Sequence, residues 1–164
     1  MDYLKILHED SNLAADFDAL FDFFLLDEPT ERDEVEGRCT FSVDGVAFAR
    51  DGAGGEYHQL EDGSIGYMSS EGEYGRIAES IDDLICLLVY SICWHDYCDS
   101  SQYTDVGILE SYAKERYAQI TSYTEMDEWE TVVKALGMPS EANLAAVLQK
   151  FYDAVHREPV YQGF

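Results

Sequence analysis

Forty residues, Phe41 to Ser80, constrain the fold more than any other stretch, because three Asp-Gly steps punctuate them: Asp44-Gly45, Asp51-Gly52 and Asp62-Gly63. Asp and Gly tolerate the positive φ of tight hairpin turns, so such steps between short apolar runs signal hairpins. The runs themselves alternate, as Phe41 and Val43, Val46 and Phe48, Tyr57 and Leu60, Ile65 and Tyr67. A period of two is that of a strand with one buried face. The prediction is a β-meander of about four short strands, an antiparallel or mixed sheet over about residues 38–78.

Everything outside the meander reads as helical. Leu13, Phe17, Leu20, Phe21 and Phe24 recur at three- and four-residue spacing, predicting a helix over residues 12–26 with Ser11 or Asn12 as its cap. Pro29 then stops it, and the acidic run Asp27 to Glu34 reads as a solvated loop. Ser80 and Asp83 make a capping-box-like pair before the most apolar stretch, Ile81 to about Trp94, expected as a buried central helix. Further helices are expected over Val106 to Ile120, after a cap at Asp127 with Gly137 as its terminator, and after a cap at Ser140. The tail beyond Pro159 reads as loose. With no repeat, linker or low-complexity segment, residues 1–164 are expected to form one α+β domain with helices flanking the sheet.

Charge narrows the function. Against 34 acidic residues stand 10 lysines and arginines, a formal net charge of −24. Such a chain repels phosphate backbones and anionic lipid, so direct nucleic-acid and membrane binding are not expected. Basic proteins are the partners it draws in. Solubility and salt adaptation would produce the same charge. No apolar run reaches eighteen residues and no basic-then-apolar leader opens the chain, so a cytoplasmic protein is expected. Cys39, Cys86, Cys93 and Cys98 are spaced for reduced thiols rather than a disulfide framework.

Catalytic and cofactor signatures are weak. Cys93, His95 and Cys98 resemble half of a zinc ligand set whose second half is missing. Asp99 to Glu110 spans the twelve positions of a calcium loop, but Thr104 occupies the glycine position and Tyr103 a ligand position. Gly52 to Gly55 lacks the lysine and helix of a phosphate loop. Glu56, Glu71 and Glu73 would supply a carboxylate pair for a small hydrolase, the alternative reading, though any acid-rich chain offers such pairs. No cofactor and no metal are expected, and no enzymatic activity.

The remaining constellation is one of aromatics among acids. Tyr57, Tyr67, Tyr74, Trp94, Tyr97 and Tyr103 lie in or beside turns, and no lysine or arginine occurs between Arg76 and Lys114. Aromatics anchor protein contacts while charges select the partner. The expected partner-binding residues are Asp51, Glu56, Tyr57, Glu61, Asp62, Glu71, Glu73, Tyr74, Asp96, Tyr97, Asp99 and Tyr103. A core role for half of the tyrosines is the competing reading.

The run Phe48 to Tyr67, followed by Ser70-Glu71-Gly72, by Gly75-Arg76-Ile77-Ala78-Glu79-Ser80 and by the apolar helix, resembles the SMI1/KNR4 (SUKH) superfamily. The resemblance implies a central sheet flanked by helices. For bacterial members it also implies an immunity protein that binds and silences a cognate toxin, often a nuclease or nucleic-acid deaminase; fungal members regulate cell-wall synthesis, again by protein contact. Glu56, Tyr57, Glu71 and Gly75 match the motif, as fold-defining positions first and contact positions second. A regulatory adaptor without a toxin partner is the remaining alternative.

Overall fold

The computed structural model describes residues 1–31, 45–124 and 126–164. Two short helices open the chain, α1 (Tyr3–Glu9) and α2 (Ser11–Phe21). Asp10, one residue before the expected caps, closes the start of α2 by accepting from the amides of Asn12 and Leu13, both at 3.1 Å. Leu13, Phe17 and Phe21 form its buried stripe. The helix ends five residues earlier than the apolar pattern predicts, because Asp22 adopts the left-handed conformation (φ 51°, ψ 51°) that Asp tolerates better than most residues. Phe24, assigned by spacing to the helix face, is instead 56% exposed.

Beyond Asp22 the chain enters a strand. The sheet has five antiparallel strands in sequence order: β1 (Phe24–Glu31), β2 (Gly45–Arg50), β3 (Glu56–Leu60), β4 (Ile65–Met68) and β5 (Tyr74–Ala78). The sheet therefore starts well before residue 38, and Asp27 to Glu31 belong to β1 rather than to a solvated loop. Pro29 is tolerated there because the β1–β2 register shifts between Leu25 and Thr30, and an irregular strand end dispenses with the missing N–H. The expected strand at Phe41 and Val43, the first Asp-Gly step at Asp44, and residues 32–34 of the acidic run lie outside the described residues. The Asp51-Gly52 and Asp62-Gly63 steps do form the β2–β3 and β3–β4 turns.

Helix α3 (Ile81–Ser91) runs through the centre, capped as expected by Ser80, whose hydroxyl accepts the Asp83 amide at 3.1 Å. Leu84, Ile85, Leu87, Leu88 and Val89 are all at most 1% exposed. Two 3-10 turns, Trp94–Tyr97 and Ser100–Tyr103, lead into α4 (Val106–Thr121), then α5 (Met126–Ala135) and α6 (Leu144–Val155). Asp127 lies within the first turn of α5, where negative charge meets the positive end of the helix. Asn143 rather than Ser140 caps α6. One continuous core, from Leu7 through Trp94 to Tyr161, fills the space between the sheet and the helices.

The C-terminal tail is not loose. Pro159 O accepts the Arg76 amide at 2.7 Å and Gln162 N donates to Tyr74 O at 3.1 Å, so the tail runs along β5. Tyr161 is 4% exposed. Gly75 makes this possible, since a Cβ there (φ 150°) would collide with the Tyr161 backbone. Arg76, 2% exposed, ties the same place together: Nε and Nη2 donate to Glu158 O at 3.2 and 2.6 Å, and Nη1 meets Asp62 at 2.9 Å.

Candidate protein-binding surface

Strand alternation decides where the aromatic residues go. Tyr57 and Tyr67 are direct cross-strand partners, and both point into the core, at 1% and 3% exposure. Their hydroxyls find partners inside: Tyr57 Oη accepts from Trp94 Nε1 at 3.2 Å, and Tyr67 Oη donates to Asp51. Burial, then the Asp51 bond, pushes the Tyr67 phenol far above its ordinary value, so it remains a donor. Tyr97 (0% exposed) and Tyr103 (6%) are likewise core residues, with Tyr103 Oη donating to Tyr97 O at 3.1 Å. Tyr57, Tyr97 and Tyr103 are therefore corrected from contact residues to core residues; only Tyr74, half-buried against Leu60 and Met68, stands near the surface.

The acids divide by what the fold already asks of them. Asp51 is 8% exposed and accepts from the Gly55 amide at 2.6 Å and from Tyr67 at 2.5 Å, which removes it from any contact surface. Glu56 is half-buried and held by Arg50 at 3.0 Å and His58 at 3.2 Å. Asp62 pairs with Arg76 at 2.9 Å and Arg157 at 3.8 Å. The Ser64 hydroxyl, helped by the Ser64 amide and Arg76, holds its carboxyl down at about 2. Asp96 pairs with Arg116 at 3.2 Å. Asp99 is exposed and caps the second 3-10 turn through the Ser101 amide. Glu61, Glu71 and Glu73 are exposed and take part in no ion pair among the described residues.

Nor do the twelve positions form one patch. The β2–β3 turn (51–55) and the β4–β5 turn (69–73) lie at one end of the sheet, beside His95, whose ring packs 5.4 Å from Tyr67. Glu61 and Asp62 lie at the other end, a strand length of about 17 Å away. Acid also continues beyond the turns: Asp16, Asp22, Asp27 and Glu28 are exposed on α2 and β1, and Asp127, Glu128 and Glu130 on α5. Sequence reasoning missed the α2–β1 corner because it assigned Phe24 to a buried helix face. The left-handed Asp22 was the signal, and nothing in the local pattern announces it.

Six of the eight described lysines and arginines, all but Lys114 and Lys134, are committed to ion pairs within the chain. Each pair cancels one acid, and with 34 acids against 10 lysines and arginines most of the acids are left without a cation. Cys39 lies outside the described residues, and the three described thiols favour the protonated form. Burial raises Cys86, Cys93 and Cys98, the last to about 12, with Asp96 adding to the rise at Cys93. Among the described residues no three His, Cys, Asp or Glu side chains converge as metal ligands, and Cys93, His95 and Cys98 do not. A groove of about 370 Å³ lies between α3, α6 and the segment joining α5 to α6, with Asp83 and Lys150 paired at 2.7 Å on its wall. Glu56, Glu71 and Glu73 are not among the residues lining it. No described helix is long and apolar enough to cross a membrane. Compared with protein-family models, with curated proteins and with solved structures, the chain has no significant match in any of the three.

Proposed function

We propose that this chain is a non-catalytic binding module of the SUKH immunity kind, which neutralises a basic, nucleic-acid-targeting toxin by seating an acidic surface over its nucleic-acid groove. The observation that carries the reading is the formal charge of −24, with six of the eight described lysines and arginines already held in pairs within the chain. A field of one sign speeds encounter with a basic protein and disfavours acidic competitors. The alternating Asp-Gly meander and the Gly75-Arg76-Ile77-Ala78 seat for the tail support the resemblance as a scaffold motif, not a reactive one.

The test is co-expression with the nuclease- or deaminase-class product of the neighbouring gene. Growth arrest is expected to be relieved, the toxin's activity to titrate to zero at one-to-one stoichiometry, and affinity to fall at least about tenfold from low to high salt as the charges are screened. A toxin that stays active under saturating amounts of the chain overturns the reading. An affinity indifferent to salt removes its electrostatic part.

A further inference from the structure

Charge spread over several sides steers a basic partner but does not fix where it docks, so an anchor must be sought in shape. One feature combines apolar lining with acids that have no ion-pair partner among the described residues: a groove of about 280 Å³ where α1 and α2 meet the start of β1. Leu7, Ala14, Phe24 and Leu25 supply its apolar lining, and Asp18 and Asp27 its acidic lining. Phe24 is 56% exposed, while its neighbour Phe23 is 1% exposed in the core. Its volume lies at the lower edge of the roughly 300–1,000 Å³ of small-molecule sites, with room for a single side chain.

Charge selects the occupant. His8 is the one titratable nitrogen base among the lining residues, Lys5 nearby is paired with Glu9, and Arg50, opposite Phe24 in the strand register, is held by Glu56. Asp18 and Asp27 have no ion-pair partner among the described residues, and burial together with Asp22 raises the Asp18 carboxyl, as expected of crowded acids without a cation. A second copy of this chain would bring like charge to like, and an anionic lipid surface would do the same. A guanidinium answers each feature: a flexible apolar stem for the apolar lining, a planar cation for the Phe24 face, and donors for two carboxylates.

We propose that this groove seats an arginine side chain of a basic partner protein, stacked on Phe24 and held between Asp18 and Asp27. The proposal rests on the reading of the chain as a partner-binding module and adds the place of docking.

The probe is an acetylated, amidated peptide of three Ala-Arg-Leu repeats, titrated at low salt into the ¹⁵N-labelled chain, with the neutral citrulline peptide beside it. Amide shifts are expected in Leu7–Asp27, with no binding of the citrulline peptide. Phe24→Ala should weaken binding about fivefold, through loss of the cation–π contact, and Asp18→Asn with Asp27→Asn about tenfold. Glu71→Gln with Glu73→Gln, at the sheet turns, should leave it unchanged. Both groove variants alter partly or fully exposed groups, and an unaltered spectrum beyond the groove confirms that they fold. Shifts spread over the whole surface, equal binding of the citrulline peptide, or full affinity in Phe24→Ala overturns the groove. Full toxin neutralisation by the Phe24→Ala chain overturns the groove while leaving the binding-module reading intact, and loss of neutralisation by that variant alone supports both.

Discussion

Two turns of the sheet carry the same dipeptide and do opposite things with it. At Asp51-Gly52 the carboxyl turns inward, 8% exposed, and accepts from two neutral donors, the Gly55 amide and the Tyr67 hydroxyl. At Asp62-Gly63 the carboxylate stays 42% exposed and faces two cations, Arg76 and Arg157. The first ties a turn to the aromatic core; the second ties a turn to β5 and the C-terminal tail. Each is set by a partner far along the chain, Tyr67 in one case and Arg76 in the other. An acid-rich composition therefore hides two populations, acids that hold the fold and acids that the described fold leaves uncommitted. Only the second population can bind anything.

Breaking the buried turn should cost most. Asp51→Ala leaves the Gly55 amide and the Tyr67 hydroxyl buried without an acceptor, an expected loss of about 4 kcal/mol in urea unfolding, since each orphaned donor costs about 1–3 kcal/mol. A loss under about 1 kcal/mol would show that water replaces the carboxylate and that the turn is not inward-facing in solution.

Next comes the clasp at the other turn. Arg76→Met keeps the buried stem but removes the donors to Glu158 O and Asp62, at an expected cost of about 3 kcal/mol. Because the tail depends on Arg76, hydrogen exchange of the Gln162 amide should accelerate in this variant. Unchanged exchange there would separate the tail from the clasp.

Glycines sharpen the same contrast with smaller effects. A Cβ at Gly55 would overlap the Tyr67 hydroxyl and the Asp51 carboxylate, whereas at Gly63 (φ 84°) it would meet nothing. Gly55→Ala should destabilise by about 2–3 kcal/mol from overpacking, and Gly63→Ala by only about 1 kcal/mol from the left-handed backbone alone. Equal losses would mean that the Tyr67 hydroxyl and the Asp51 carboxylate give way to the added methyl at little cost.

How far these features can be read from sequence follows from the range of the interactions. Asp-Gly punctuation, the Ser80 cap and the apolar run of α3 are local patterns, and the turns and helix they predict are present. β1 was hidden because Phe23-Phe24-Leu25-Leu26 fits either period, and a single left-handed residue, Asp22, decided between them. The fate of the tyrosines was hidden for another reason. Period-two alternation implies that Tyr57 and Tyr67 share a face, but proximity to turns and acids suggested the solvent side. Trp94 and Asp51, which satisfy their hydroxyls, come from distant stretches of chain. The tail was missed because its partner is a backbone edge made accessible by Gly75, a contact without a side-chain pattern.

The smallest expected effect tests the outward turn by pH. The Ser64 hydroxyl first, then the Ser64 amide and Arg76, lower the Asp62 carboxyl from 3.8 to about 2 in the folded protein. A depressed folded value means that the unfolded chain takes up the proton first as pH falls. The contribution is therefore whole above the ordinary value of 3.8 and disappears as pH drops towards 2. Solvent screens a carboxylate this exposed, which limits the contribution to about 1 kcal/mol. Asp62→Asn should accordingly be less stable than the parent by about that amount at neutral pH, with the two unfolding curves converging near about pH 2. A gap that persists undiminished into acid would show that Asp62 serves as a neutral acceptor for Ser64 rather than as the anion opposite Arg76, and the distinction between the two turns would then rest on burial alone.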